Sequence, residues 1–294
     1  MRLNIRYSTR FSYDGRVRES ANELRACPVS DHRQQLRSYR VTTNPSSRVL
    51  SSTDYWGNRV DAFQIRAPHT SLEIIAEATV ETYPTPVLTA SPRMAAVRDD
   101  QFRSAHLEYL EPSAHTTSNG VVAHEARRRA DAVGDDVIGV ALAMHRTVGT
   151  SLTYTPGATY VGVTVDEVLG TGHGVCQDFA HLVIAMCRSV GIPARYVSGY
   201  FFARDDATGE RPDDDDVVVV QTHAWLEVAV PGAGWLALDP TNQLEVGPRH
   251  VKIGHGRDYD DVSPLRGVFS GPAAHDLDVQ VEMRRSAMQQ QTQQ

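Results

Sequence analysis

The run from Gly172 to Pro193 constrains this chain more than any other stretch, because few backbone forms satisfy it. Val175, Phe179, Leu182, Val183, Met186 and Val190 recur at steps of three and four, the period of a helix with one buried face. Gly172 and Gly174 supply a tight turn ahead of it, and Gly191 followed by Pro193 stops it. Cys176 therefore falls in the first helical turn. Unpaired backbone N–H groups and the positive end of the helix dipole favour a thiolate there, and a thiolate is a nucleophile. The same position also suits a small buried hydrophobe, which cysteine often is, so the helix alone leaves its role open.

Cys27, Cys176 and Cys187 are the three cysteines, with no C-x-x-C pair. That fits a reducing compartment and neither a disulfide scaffold nor a zinc ribbon. Cys176 and Cys187 lie about 16 Å apart along one helix at ~1.5 Å per residue, too far to bridge, and Cys187 reads as core. The 294 residues are 41% hydrophobic and 22% charged, an ordinary globular composition with room for two modest domains or one large one. A net charge of −7 without a basic cluster argues against nucleic-acid and anionic-membrane partners. Lys252 is the only lysine. Met1–Arg10 lacks an apolar signal core and no run approaches membrane-spanning length, so a cytoplasmic protein is expected.

The first ~85 residues read as strands. Leu3, Ile5, Tyr7, Thr9, Phe11 and Tyr13 alternate with charged or small residues, and Leu72 to Val80 alternates again. Shorter candidates lie at Leu24–Cys27, Leu36–Thr43 and Val60–Ile65, which together suggest a small antiparallel sandwich or barrel. The Pro/Ser/Thr-rich stretch Tyr83–Pro92 reads as a connector. The expected domains are a β-sandwich over 1–85, a catalytic domain over 86–285 and a disordered tail over 286–294. Helices are expected at Ala123–Val133 and Asp135–Val148, with a capping box at Thr164 and Glu167 opening a short helix to Leu169. After Pro193 come strands at Ala194–Phe202, Val217–Val230 and Trp235–Asp239, an irregular stretch over 243–271, and a last strand at Leu277–Val281. The acidic run Asp213–Asp216 lacks a spaced calcium pattern and reads as a solvated loop.

His223 and Asp239 stand on two alternating segments separated by Pro231-Gly232-Ala233-Gly234, which is turn chemistry. Folding this hairpin about residue 231 sets His223 opposite Asp239 with Cβ atoms ~5 Å apart. That face then need only pack against the start of the Cys176 helix. Such a set can perform acyl chemistry. Cys176 attacks, His223 takes and returns the proton, and Asp239 orients the imidazole. The Cys176 backbone N–H is a natural oxyanion donor.

Four segments carry a resemblance. They are Gly-x-Gly-Val-Cys176-Gln-Asp-Phe-Ala-His, Gly191-Ile-Pro-Ala-Arg-Tyr-Val-Ser-Gly-Tyr200, Thr222-His223-Ala-Trp-Leu-Glu-Val and Trp235-x-x-Leu-Asp239-Pro-Thr-Asn242. Together they resemble the bacterial transglutaminase-like superfamily closely over about 150–243, and more loosely over 256–262 and the N-terminal β module. The resemblance implies an α+β fold with a papain-like core, a Cys helix packed on an antiparallel sheet, preceded by the all-β module. It places nucleophile, base and orienting acid on Cys176, His223 and Asp239. Animal members have an upstream tryptophan that holds the oxyanion and screens the thioester. Here the tryptophans are Trp56, Trp225 and Trp235, which leaves Tyr154 as the substitute donor. Gln177 and Trp225 are expected to line the cleft.

The reading is a cysteine enzyme acting on amide or isopeptide bonds of peptides or proteins, with hydrolysis favoured over acyl transfer to an amine. The alternatives are a protein-glutamine acyltransferase and a non-catalytic peptide-binding protein. No cofactor and no metal is expected; a zinc set of His173, Cys176 and His223 lacks the second ligand pair of structural sites. Self-association through the N-terminal module is a further expectation.

Overall fold

The structure, a computed structural model, describes all residues except 86, 87, 89, 90, 161, 205–209, 211, 212, 214–216, 272–274 and 287–294. Most of the acidic run 213–216 and nearly all of the expected tail lie outside the described residues.

The N-terminal part contains β1 (Arg2–Val17), β2 (Glu19–Leu24), β3 (Gln34–Asn44), β4 (Leu50–Thr53), β5 (Arg59–Ile65) and β6 (His69–Thr82). Then follow α1 (Asp100–Ala105), α2 (Val121–Val133), α3 (Val137–Ser151), β7 (Thr153–Tyr154), α4 (Val165–Thr171), β8 (His173–Gly174) and α5 (Cys176–Ser189). The remainder comprises β9 (Ala194–Phe201), β10 (Val217–Val220), β11 (His223–Val230), β12 (Gly234–Asp239), β13 (Leu244–Glu245), β14 (His250–Gly256), α6 (Tyr259–Val262), β15 (Leu265–Ser270) and β16 (His275–Ser286).

Alternation decides the N-terminal module. Leu3, Ile5, Tyr7, Leu72, Ile74, Ala76 and Val80 turn inward and share one core with Phe63 and Ile65, as a half-buried strand pattern requires. The strands form one sheet in the order β10-β16-β1-β6-β3 and a second in the order β15-β2-β5-β4. Their membership is wider than 1–85. The last strand pairs with β1 from Arg2↔Ser286 to Tyr13↔His275, β10 pairs with β16, and β15 pairs with β2. Tyr200, Phe202, Val251 and Ile253 enter the same core from the other side.

The second unit is an antiparallel sheet, β13-β12-β11-β9-β14, with α5 on one face. Phe179, Leu182, Val183 and Met186 of α5 meet Ala224, Leu226, Val228 and Leu238 of the sheet, all fully buried or nearly so. The capping box at Thr164 and Glu167 is formed as the sequence predicts.

Three expectations differ, the first being Leu24–Cys27, of which only Leu24 lies in a strand, at the end of β2. Val217–Val230 is not one strand but two, in different sheets. Val217 and Val219 are exposed on an edge, whereas His223–Val230 is buried on both faces, so the chain passes from one sheet to the other at Gln221-Thr222. The stretch 243–271 is not irregular; it holds β13, β14, α6 and β15. Its polar His250 and Lys252 are buried with partners inside the protein, and residue type alone suggests a loop instead.

Candidate active site

The hairpin that carries His223 and Asp239 closes over three residues, Pro231–Ala233. Its register is Leu226↔Leu238 through Val230↔Gly234. That is two residues away from the expected opposition, so continuing the ladder sets Asp239 against Trp225. A shift by two preserves the face, and diagonal neighbours remain within reach of long side chains. His223 Nε2 and Asp239 Oδ2 lie 2.8 Å apart, both buried.

The face is also a correction. Ala224, Leu226 and Val228 pack on α5, while Trp225 joins Val197, Ala237 and Val246 on the other side. Strand alternation puts His223 with Trp225, whose ring centroids are 6.1 Å apart. The start of α5 therefore meets His223 at the end of the sheet and not across its packed face. Trp225 is 1% exposed and lies beneath the histidine; it does not wall an open cleft as expected. Gly199, opposite His223 on β9, makes this possible. A Cβ there would overlap the Trp225 ring and the Val251 carbonyl.

Cys176 is the first residue of α5 and partly exposed, while Cys27 and Cys187 are buried. Asp178, two residues on, accepts from the Val175 N–H at 2.8 Å and from the Thr159 hydroxyl at 2.6 Å, which fixes the first turn. Gln177 stands beside it, half-buried. Tyr154 is set alongside this turn because β7 and β8 pair in parallel, Tyr154 against Gly174.

Burial opposes a charge on His223, but the Asp239 carboxylate and the Cys176 thiol outweigh it. The imidazole is held well above its ordinary 6.5. Asp239 is likewise disfavoured as an anion by burial, yet His223 and His250 hold it well below 3.8.

His250 is a site residue that the sequence reading missed. Its Nε2 lies 3.1 Å from the same Asp239 Oδ2, and its Nδ1 accepts the Gly247 N–H at 3.2 Å. The latter bond leaves Nε2 as the protonated, donating nitrogen. Burial pushes His250 below its ordinary value, so it serves as a neutral donor. Asn242 Nδ2 also donates to Oδ2 at 2.9 Å, while Oδ1 accepts the Thr241 and Asn242 N–H groups at 3.1 and 3.2 Å. From behind, His145 of α3 bonds the Asp239 carbonyl at 3.0 Å. Phe201 stacks on both imidazoles, at 5.4 Å from His223 and 4.4 Å from His250. No local sequence signal marks His250, because its strand is set by pairing with β9.

His223, Asp239 and His250 have the donor set of a metal site. Each donor is already used in a hydrogen bond to its neighbour, which accounts for the cluster without an ion. The alternative zinc set does not assemble: His173 is exposed and bonds Thr155.

Comparisons with known proteins agree with the fold. Residues 125–240 match the transglutaminase-like superfamily and residues 3–81 the bacterial transglutaminase-like N-terminal region. An uncharacterized protein of Mycobacterium leprae is 37% identical over 291 residues, covering 97% of this chain and 99% of its own. Protein-glutamine gamma-glutamyltransferase of Pseudomonas aeruginosa is 36% identical over 105 residues, covering 35% of this chain and 14% of its own. The fold matches a crystal structure of a candidate cysteine protease from Cytophaga hutchinsonii with a TM-score of 0.73 at 21% identity, over 98% and 92% of the two chains. No helix among the described residues is long and apolar enough to cross a membrane. With a cysteine heading the helix on a His- and Asp-bearing sheet, behind a β module of the matching kind, the chain belongs to the transglutaminase-like superfamily of cysteine enzymes.

Proposed function

We propose that this protein cleaves amide or isopeptide bonds of peptides or proteins through a thioester on Cys176, with water as the favoured acceptor. The observation that carries the reading is His223 bound to Asp239 at 2.8 Å, both buried, with the partly exposed Cys176 heading α5. With Nε2 given to Asp239, Nδ1 is the nitrogen left for Cys176. The thiol proton passes to His223 as sulfur attacks the carbonyl carbon, and His223 returns it to the leaving amine. Water then attacks the thioester carbonyl with His223 as base; the C–S bond breaks, the carboxylic acid leaves, and His223 returns the proton to the Cys176 sulfur. The Cys176 N–H and the Tyr154 hydroxyl are the proposed oxyanion donors.

The tryptophans support hydrolysis. Trp56 packs with Tyr55 and Tyr109, Trp235 lies under Arg195, and Trp225 is buried, so no indole is positioned to screen the thioester from water. Acyl transfer is the second reading, favoured by the likeness to the Pseudomonas transferase. Incubating lysate peptides with the protein and a tagged primary amine separates the two. Mass spectrometry should find more hydrolysed than amine-bearing products; a majority of amine adducts would make it a transferase.

His250→Phe is expected to keep the ring stack while removing one donor to Asp239. A hydrogen bond to a charged group is worth about 1.5–3 kcal/mol, so kcat/KM should fall about 10–100-fold. Asp239, less neutralised, should also hold the His223 proton more firmly and move the alkaline limb of the pH–rate profile upward. An unchanged profile with lowered activity would make His250 a packing residue only.

A further inference from the structure

His115 stands in the connection between α1 and α2, 143 residues before Asp258 in the chain. No local spacing joins it to the carboxylates it meets. Asp258 and Asp260 stand at the start of α6. One ligand atom from each of His115, Asp258 and Asp260 lies within 4.8 Å of the other two. His115 Nε2 is 3.2 Å from Asp260 Oδ2. Two ligands that share one ion at bond lengths of about 2.1 Å sit about 3.0–3.4 Å apart. The observed separation falls within that span.

His115 is only 6% exposed, and its Nε2 is buried without a hydrogen-bond partner among the described residues. Native proteins rarely leave such atoms unused. The Asp260 contact does not replace one, since a hydrogen bond requires N–H to aim at the oxygen. Two ligands of one ion aim instead at the ion between them. Asp258 Oδ1 accepts the Asp260 N–H at 3.0 Å, and its Oδ2 has only a long contact of 3.4 Å with the His115 N–H. The cluster at His223 differs, because there every donor is taken. Stacking on His181, with centroids 5.0 Å apart at 5°, holds the His115 ring. The His181 Nε2 accepts the Tyr259 N–H at 3.2 Å and is not free to be a ligand.

Charge points the same way. Asp258 faces the buried Arg188, whose guanidinium bonds the carbonyls of Glu111, Ala194 and Arg257 and the Thr116 hydroxyl. Arg257 pairs with Asp261. Of the two carboxylates, Arg188 balances one and leaves the other for a cation.

We propose that His115 Nε2 and the Asp258 and Asp260 carboxylates bind one divalent ion of the zinc class, with water completing the coordination. An imidazole among the ligands selects zinc over magnesium and calcium, which favour oxygen alone. The ion fastens the α1–α2 connection to α6, independently of the chemistry at Cys176.

The test uses the untagged full chain, stripped with EDTA and treated with iodoacetamide so that the Cys176 thiol takes no zinc. After zinc addition and desalting, mass spectrometry of the metal content should find one zinc per chain. Zinc at 100-fold its Kd should raise Tm by about 4 °C. Asp260→Asn, at an exposed position, should fold as the wild type and weaken zinc affinity at least about tenfold, the loss that even an outer-sphere partner brings. His115→Phe keeps a ring on His181 and should abolish uptake. His250→Phe, in the other His- and Asp-bearing cluster, should bind zinc as the wild type does. Crystals with zinc should show an anomalous peak about 2.1 Å from His115 Nε2. A chain that takes up no zinc overturns the proposal. So does uptake that persists in Asp260→Asn and His115→Phe, or that is lost in His250→Phe, because the ion then sits elsewhere. An equal Tm gain from magnesium would mean an oxygen-only site without His115 and overturns it too.

Discussion

Cys176→Ala is expected to remove turnover, by on the order of 10⁴-fold or more, while the protein melts within a few degrees of wild type. Only Cys176 among the three cysteines combines exposure with a helix start facing an imidazole. Burial pushes the Cys187 thiol up to about 12 and Cys27 up to about 11, so neither is a thiolate at neutral pH. The fold should survive, because alanine is the best helix former and the helix is held by Asp178 at its first turn and by its apolar face. Iodoacetamide at neutral pH, followed by peptide mapping, should alkylate Cys176 in the wild type and leave the variant unlabelled. Cys187→Ala should retain most activity at some cost in stability. Turnover that persists in Cys176→Ala and vanishes in Cys187→Ala would overturn the assignment of the nucleophile.

Asp239→Asn should fold and yet lose roughly 10³–10⁴-fold in kcat/KM. Asp239 accepts five hydrogen bonds, three at Oδ2 and two at Oδ1. An amide can accept at only one of these positions, so its NH₂ must face donors at the other. If that NH₂ faces His223, Nε2 becomes the acceptor and the proton moves to Nδ1, the nitrogen that must receive the thiol proton. Stability carries a second signature. His223, raised in the folded state, contributes stability that is full below 6.5 and lost as pH rises through its folded value. Asp239, lowered in the folded state, contributes stability that is full above 3.8 and lost as pH falls through its folded value. The Tm gap between wild type and Asp239→Asn should therefore be widest between 3.8 and 6.5 and narrow on either side. A gap that does not vary with pH, or activity within threefold of wild type, would make Asp239 a turn residue only.

Where the sequence was informative, the reason was local. The α5 helix follows from a period that only one buried face satisfies, and β1 and β6 from strict alternation. The cap at Thr164 depends on residues three apart in the chain. Cys176 was singled out by such a helix period, and His223 and Asp239 by the turn residues Pro231–Gly234 between their strands, although β11 is buried on both faces and does not alternate. His250 was not singled out, since β14 owes its existence to pairing with β9 and its buried polar residues to partners far away in sequence.

Register and sheet membership belong to the same non-local class. A turn centred on residue 231 and one centred on residue 232 differ little in sequence, yet they move Asp239 from opposite His223 to a diagonal position. Four valines in a row of fourteen residues read as one strand, but the chain crosses between sheets at Gln221-Thr222 because only the tertiary packing supplies a partner for Val217–Val220 in β16. The sequence by itself determined the helix and the alternating strands β1 and β6, and it singled out the three side chains proposed for the site, since these depend on neighbours a few residues away. The tertiary structure alone decided which face His223 occupies, what else bonds Asp239, and that Lys252, the single lysine, is buried against Glu227 with Arg33 and Arg195. Burial and pairing of charge are properties of the assembled sheets, and no segment of the chain carries them alone.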